Sequence, residues 1–173
     1  MSNGKFVDIV NRKDKVIGRV PELESDHLKK KIRRAVVVFV FDKEGRLYLQ
    51  KRSQKKYRCP LHWCCSAAGL VDSGETYEEA ALRELEEELG VKKEPKDLEA
   101  LLKKMVKTDL TEFVKAYAVV CNGEVTPDPE EVATGKFVSL KEVKKMMAQG
   151  EKFTPFFLCL FGEVFGGEEK KAK

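Results

Sequence analysis

Residues 69–91 read GLVDSGETYEEAALRELEEELGV, and the organisation of the chain follows from them. Thr76-Tyr77-Glu78-Glu79 has the spacing of a capping box, in which the Thr76 hydroxyl accepts from an early helical N–H and Glu79 reaches back to the cap. Gly90 suits the left-handed conformation that ends a helix. Between them Ala80, Ala81, Leu82, Leu85 and Leu89 form an apolar stripe at three- and four-residue spacing. The spacing therefore predicts an amphipathic helix ending at Gly90. Glu84, Glu87 and Glu88 stand at i, i+3 and i+4, so their carboxylates converge on one face. Like charges at that spacing repel, and hard divalent cations such as Mg2+ or Mn2+ relieve the repulsion through carboxylate oxygens.

The same stretch resembles the Nudix box, G-x5-E-x7-R-E-U-x-E-E-x-G-U with U aliphatic. The match runs through Gly69, Glu75, Arg83, Glu84, Leu85, Glu87, Glu88, Gly90 and Val91. The resemblance implies a metal-dependent pyrophosphohydrolase, in which water attacks a phosphorus of a nucleoside diphosphate linked to another moiety X. It implies metal ligands at Gly69 (through its carbonyl), Glu84, Glu87 and Glu88, and a catalytic set of Glu84, Arg83 and Glu87. Arg83 is expected to orient carboxylates, through Glu87 at i+4 and through Glu75. The general base is left open between Glu84, which is favoured, and later-loop glutamates at Glu112, Glu130 and Glu131, with Glu112 and Glu131 also candidate extra ligands. The chemistry is consistent: a diphosphate repels hydroxide until its charge is neutralised and the water made more acidic.

The flanks are similar to one branch of that superfamily. VDIVNRKDKVIGRV, LYLQKRS and P-x-x-W-x-x-S-A-A-G look like Nudix proteins related to isopentenyl-diphosphate isomerase. That branch implies diphosphate contacts at Lys51, Arg52 and Lys56, where Arg supplies a planar fork and Lys a mobile point charge. Aligned on Trp63, however, the isomerase cysteine falls on Ala68 and its metal histidines on Leu70 and about Arg33. His27 and His62 fill neither histidine position clearly. A hydrolase is thus expected over an isomerase, and over a non-catalytic nucleotide-binding regulatory module, because the box is intact.

Outward from the box, residues 6–20 alternate as two strands around a polar turn at Asn11 to Lys15, and Glu22 to Lys31 is expected to be a short helix. Ala35 to Phe41 and Leu47 to Gln50 read as a hairpin about Asp42 to Gly45. Lys55 to Pro60 is a basic loop, Leu98 to Lys107 is ambiguous between helix and strand, and Phe113 to Cys121 is β-rich. Val125 to Glu131 is a loop, Phe137-Val138 a short strand, and Ser139-x-x-Glu142 a second capping box opening a helix that stops at Gly150. Gly166 to Lys173 is expected to be disordered. Strands and helices mix without βαβ regularity, which indicates α+β. The resemblance specifies a Nudix-type α/β/α sandwich with a mixed β-sheet between helices. One domain is expected over 1–173, with its core at about 34–150 and a C-terminal segment at 151–173.

The chain has 173 residues, 42% of them hydrophobic and 36% charged, with a net charge of +4. That length suits one domain, and the charge is too small to argue for nucleic acid. No compact basic-aromatic patch supports RNA binding. No apolar run reaches membrane-spanning length and the N-terminus lacks a signal peptide's hydrophobic segment, so a cytoplasmic location is expected. Five cysteines at no zinc spacing read as reduced thiols. The expected partner is a small-molecule diphosphate, and pairing through the N-terminal hairpin or sheet edges would give a homodimer.

Overall fold

The computed structural model describes residues 5–28 and 30–166. The chain order is β1 (Phe6–Val10), β2 (Val16–Pro21), α1 (Glu22–Ser25), β3 (Ile32–Phe41), β4 (Leu47–Arg52), β5 (Trp63–Cys64), β6 (Ala67–Leu70), α2 (Tyr77–Leu89), β7 (Glu99–Lys107), β8 (Thr111–Val120), β9 (Val132–Val138), α3 (Leu140–Ala148) and α4 (Pro155–Phe165), with a 3-10 turn at Pro95–Asp97 before β7. The described strands join in one mixed sheet.

β3 is the centre of the fold. Its run of valines and phenylalanines is buried on both faces, as a near-continuous apolar strand in a covered sheet should be. Val37 and Phe39 point to one core, with Leu47, Leu49, Val143, Phe157, Leu160 and Phe161. Val36, Val38 and Val40 point to the other, with Ala80, Ala81, Leu85, Leu89 and Tyr117. The period of two along β3 thus places α2 on one face and α3 with α4 on the opposite face. This is the α+β, three-layer arrangement expected from the sequence.

The hairpin between β3 and β4 is the main departure. The two strands pair only at Phe41↔Leu47. Beyond that point they part. β3 runs parallel to β8 along its whole length and takes β1 and β6 on its other edge, whereas β4 pairs with β9 and β5. The Ser66 hydroxyl fills the fork. It accepts from the Val40 N–H at 2.8 Å and donates to the Tyr48 carbonyl at 2.6 Å, and Ser66 is fully buried. Ser66→Ala leaves a buried donor and a buried acceptor unpaired, so a loss of roughly 2–4 kcal/mol is expected. Urea denaturation measures it, and a midpoint equal to that of the parent would contradict this account of the fork.

Other boundaries differ in detail. The expected helix from Glu22 is only Glu22–Ser25, Leu98 to Lys107 resolves as strand β7, and the strand at Phe137-Val138 starts earlier, at Val132. At α3 only half of the capping box forms: the Ser139 hydroxyl accepts from the Glu142 N–H. The segment after Gly150 holds α4, capped by Thr154 with Pro155 in the first turn. Its Phe157, Phe161 and Phe165 continue a ladder from Phe153, with successive ring centroids 5.2, 5.3 and 5.2 Å apart. The expected disordered tail lies outside the described residues beyond Gly166.

Candidate functional site

The helix of residues 77–89 forms as its spacing predicts. The Thr76 hydroxyl accepts from the Glu79 N–H, the Glu79 carboxylate accepts from the Thr76 N–H, and Gly90 ends the helix at φ 64°. The loop after β8 then closes on the helix end. The Thr126 N–H donates to the Leu89 carbonyl and the Asp128 N–H to the Glu88 carbonyl, both at 2.9 Å. These bonds satisfy carbonyls that a helix end leaves open and carry Asp128 and Glu131 to the acidic face of α2.

The result is a cleft of about 440 Å³ lined by Gly69, Glu84, Glu87, Glu88, Lys56 and Glu131, with Lys5, Glu22 and Asp128 at its edges. Glu84 lies directly on β6: a Cβ on Gly69 would meet its Oε1 at 2.0 Å. Only glycine permits that approach, which accounts for Gly69 without appeal to backbone torsion. Glu84 and Glu88 are buried, while Glu87 stands at the rim.

Arg83 organises the acids. Its Nε and Nη2 donate to the two Glu75 oxygens at 2.9 Å each, a bidentate fork. Nη2 also donates to the Leu70 carbonyl at 2.9 Å, and Nη1 reaches Glu84 at 2.6 Å and Glu87 at 3.3 Å. Glu75 in turn accepts from the Asp72 N–H, fixing the turn between β6 and α2. Arg83 and Glu75 are thus joined by two hydrogen bonds.

Burial sets the electrostatics. It pushes Glu88 up to about 8, with the Glu84 charge adding to the rise, against one hydrogen bond from the Gln50 amide at 2.6 Å. Burial also raises Glu84, against the attraction of Arg83. Their oxygens are the hard donors that Mg2+ and Mn2+ prefer. Among the described residues no three acidic, histidine or cysteine groups are already closed into a cage. Arg83 instead occupies the space between Glu84 and Glu87. The donor chemistry and the Gly69 cradle fit a divalent cation.

The remaining sequence candidates divide. Lys56 lies in the cleft and pairs with Glu131. Arg52 lines the adjoining cavity, where its Nε donates to the Arg58 carbonyl. Lys51 does not line the cleft; its ammonium sits 5.5 Å from the Trp63 ring centroid. Glu112 is drawn off by Arg33 at 2.6 Å and faces the adjoining cavity rather than the cleft. Glu130 is exposed and pairs with Lys55. Gln50, Asp128 and Glu22 were not singled out from the sequence. Gln50 carried a signal, being the polar residue that interrupts the apolar run LYLQ, whereas Asp128 and Glu22 sit in ordinary charged loops.

A family model described as NUDIX domain matches residues 31–157. An uncharacterised Nudix hydrolase of Streptomyces coelicolor is 34% identical over 166 residues, covering 94% of this chain and 90% of the relative. An isopentenyl-diphosphate Delta-isomerase of Nocardia farcinica is 32% identical over 155 residues, covering 87% and 89%. A crystal structure from Deinococcus radiodurans superposes with a TM-score of 0.81 at 27% identity, covering 93% of this chain and 99% of that one.

Proposed function

The chain belongs to the Nudix family, and from that premise we propose that it is a Mg2+- or Mn2+-dependent pyrophosphohydrolase of a nucleoside diphosphate linked to a further moiety. The observation that carries the reading is the seating of Glu84 on Gly69 with Glu87 and Glu88 in the same cleft. Family members generally use divalent cations. Here the Gly69 carbonyl, Glu84, Glu87 and Glu88 would hold one. When bound, such a cation neutralises phosphate charge and makes a water acidic enough to ionise near neutrality.

The protein's own groups do the rest. Glu84 takes the water's proton, its basicity raised by burial beside β6. Lys56 leaves Glu131 to meet a phosphate oxygen, and Arg52 offers a planar fork to the portion of the substrate that extends into the adjoining cavity. Arg83 keeps Glu75 and the β6 turn fixed, so the carboxylates are held before substrate arrives.

The isomerase names among the relatives make prenyl diphosphates a necessary arm of the test. Ala68 and Leu70 line the cleft and present no group that titrates, which favours hydrolysis. Release of phosphate or pyrophosphate should be followed across nucleotides, sugar nucleotides, dinucleoside polyphosphates and prenyl diphosphates, with Mg2+ or Mn2+. Metal-dependent release that is lost in Glu87→Gln is expected. No release from any of them, or isomerisation of a prenyl diphosphate without release, would overturn the reading.

A further inference from the structure

Three of the five cysteines face one cavity. A space of about 580 Å³ is lined by Cys59, Cys64 and Cys159 together with Arg52, Arg58 and Thr154. It shares Ala68 with the carboxylate cleft, and it shares Arg52, Arg58, Glu112 and Phe156 with the cavity that joins the two. All five cysteines are free thiols. Nothing in the proposed hydrolysis uses them.

We propose that Cys64 is a nucleophilic thiol through which hydroperoxides modify this cavity. The supports around its sulfur are specific. Cys64 Sγ lies 3.4 Å from Cys65 Sγ and 3.4 Å from Thr154 Oγ1, so two groups able to donate to it are within hydrogen-bond reach. Thr154 is held in place as the cap of α4, where its hydroxyl also accepts from the Phe157 N–H. β5 pairing sets Cys64 opposite Gln50, two residues from Arg52, whose positive charge acts on the sulfur. The hydrogen bond from Cys65, then Thr154 and Arg52, pull the Cys64 thiol down to about 6 against its burial. Cys65 moves the other way and keeps its proton, which makes it the donor of the pair. Low-pKa thiols beside positive charge, with a path to solvent, are the reactive ones.

The chemistry balances with a hydroperoxide as the oxidant. The Cys64 thiolate attacks one peroxide oxygen, an S–O bond forms and the O–O bond breaks. The other peroxide oxygen leaves as hydroxide from hydrogen peroxide, or as alkoxide from an organic hydroperoxide, and takes a proton from solvent to give water or the alcohol; sulfur is oxidised by two electrons and the peroxide reduced by two. The sulfenic acid then condenses with the thiol of Cys59 or Cys159, forming S–S and releasing water. Cys65 is not the resolving thiol. Adjacent Cα atoms are about 3.8 Å apart across a trans peptide, below the roughly 4.4–6.8 Å that disulfides span.

The full-length protein is treated with stoichiometric hydrogen peroxide, with and without the sulfenic-acid trap dimedone, and mapped by non-reducing peptide mass spectrometry. A trap adduct on Cys64, or a Cys64–Cys59 or Cys64–Cys159 disulfide, is expected to form at least about tenfold faster than any product at Cys121, which is buried elsewhere. Cys65→Ala should slow the Cys64 reaction and Cys65→Ser, which keeps a donor, should largely restore it. Reaction first at Cys59 or Cys159 with Cys64 intact, equal rates at all five thiols, or no effect of Cys65→Ala would overturn the proposal. These readouts need no enzymatic activity, so they stand or fall separately from the hydrolase reading.

Discussion

Exchanging Glu88 for glutamine is expected to raise the stability of the metal-free protein at pH 8 and to abolish its stabilisation by magnesium. Glu88 is only 6% exposed, and among the described residues its carboxylate accepts one hydrogen bond, from the Gln50 amide. Its carboxyl sits near 8 in the folded protein against 4.5 for an ordinary glutamate. The folded chain therefore keeps a proton that the unfolded chain has released between those values. The associated stability is fully present below the ordinary carboxyl pKa and declines as pH climbs towards 8, by an amount on the order of a few kcal/mol. A glutamine keeps the shape, offers its carbonyl to Gln50 and cannot ionise, so the decline should vanish. Urea denaturation at pH 5 and pH 8, with and without Mg2+, reads all of this. A Glu88→Gln protein that gains as much from Mg2+ as the parent would remove Glu88 from the cation's ligands.

The second large effect is expected at Arg83. One guanidinium serves both Glu75 oxygens, Glu84, Glu87 and the Leu70 carbonyl while only 20% exposed. Arg83→Ala strands two half-buried or buried carboxylates, Glu75 and Glu84, and a loss of roughly 3–5 kcal/mol follows from leaving such charges unpaired. Arg83→Lys restores the charge but has neither the planar fork for Glu75 nor the reach to five acceptor oxygens at once. It should therefore recover much of the stability yet leave metal affinity or turnover about 10–100-fold down, the usual cost of losing an outer partner of metal-binding groups. Isothermal titration with Mn2+ on the folded Lys variant separates the two contributions. Parent-like affinity and turnover there would reduce Arg83 to a structural role.

The pair of variants probes a conflict built into the site. Glu84, Glu87 and Glu88 share one helix face, which costs stability, and the fold answers with Arg83 at Glu84 and Glu87 and with Lys5 at Glu87. A site in which every carboxylate were already satisfied would have little left to offer a cation.

What the sequence determined by itself is local and periodic. The capping box at Thr76, the stop at Gly90 and the convergence of Glu84, Glu87 and Glu88 follow from hydrogen bonds and helical geometry within a few residues. The contact of Arg83 with Glu87 was legible for the same reason, since i+4 fixes its reach. α4 was not read from the sequence, where its segment was expected only as a C-terminal extension; the structure shows it capped by Thr154 with Pro155 in its first turn.

Tertiary structure alone decided the rest. The β3–β4 hairpin looked ordinary, and its split depends on Ser66, on β6 and on the long parallel pairing with β8, contacts far apart in sequence. Which late glutamate reaches the cleft was equally hidden: Glu112 is held by Arg33 from a strand 79 residues away, whereas Glu131 arrives because loop N–H groups cap α2. The gathering of Cys59, Cys64 and Cys159 around one cavity has no sequence signature, because β5, the loop before it and α4 meet only when the sheet is assembled. Short-range geometry is written in residue spacing; which distant groups meet depends on how the two faces of β3 are covered.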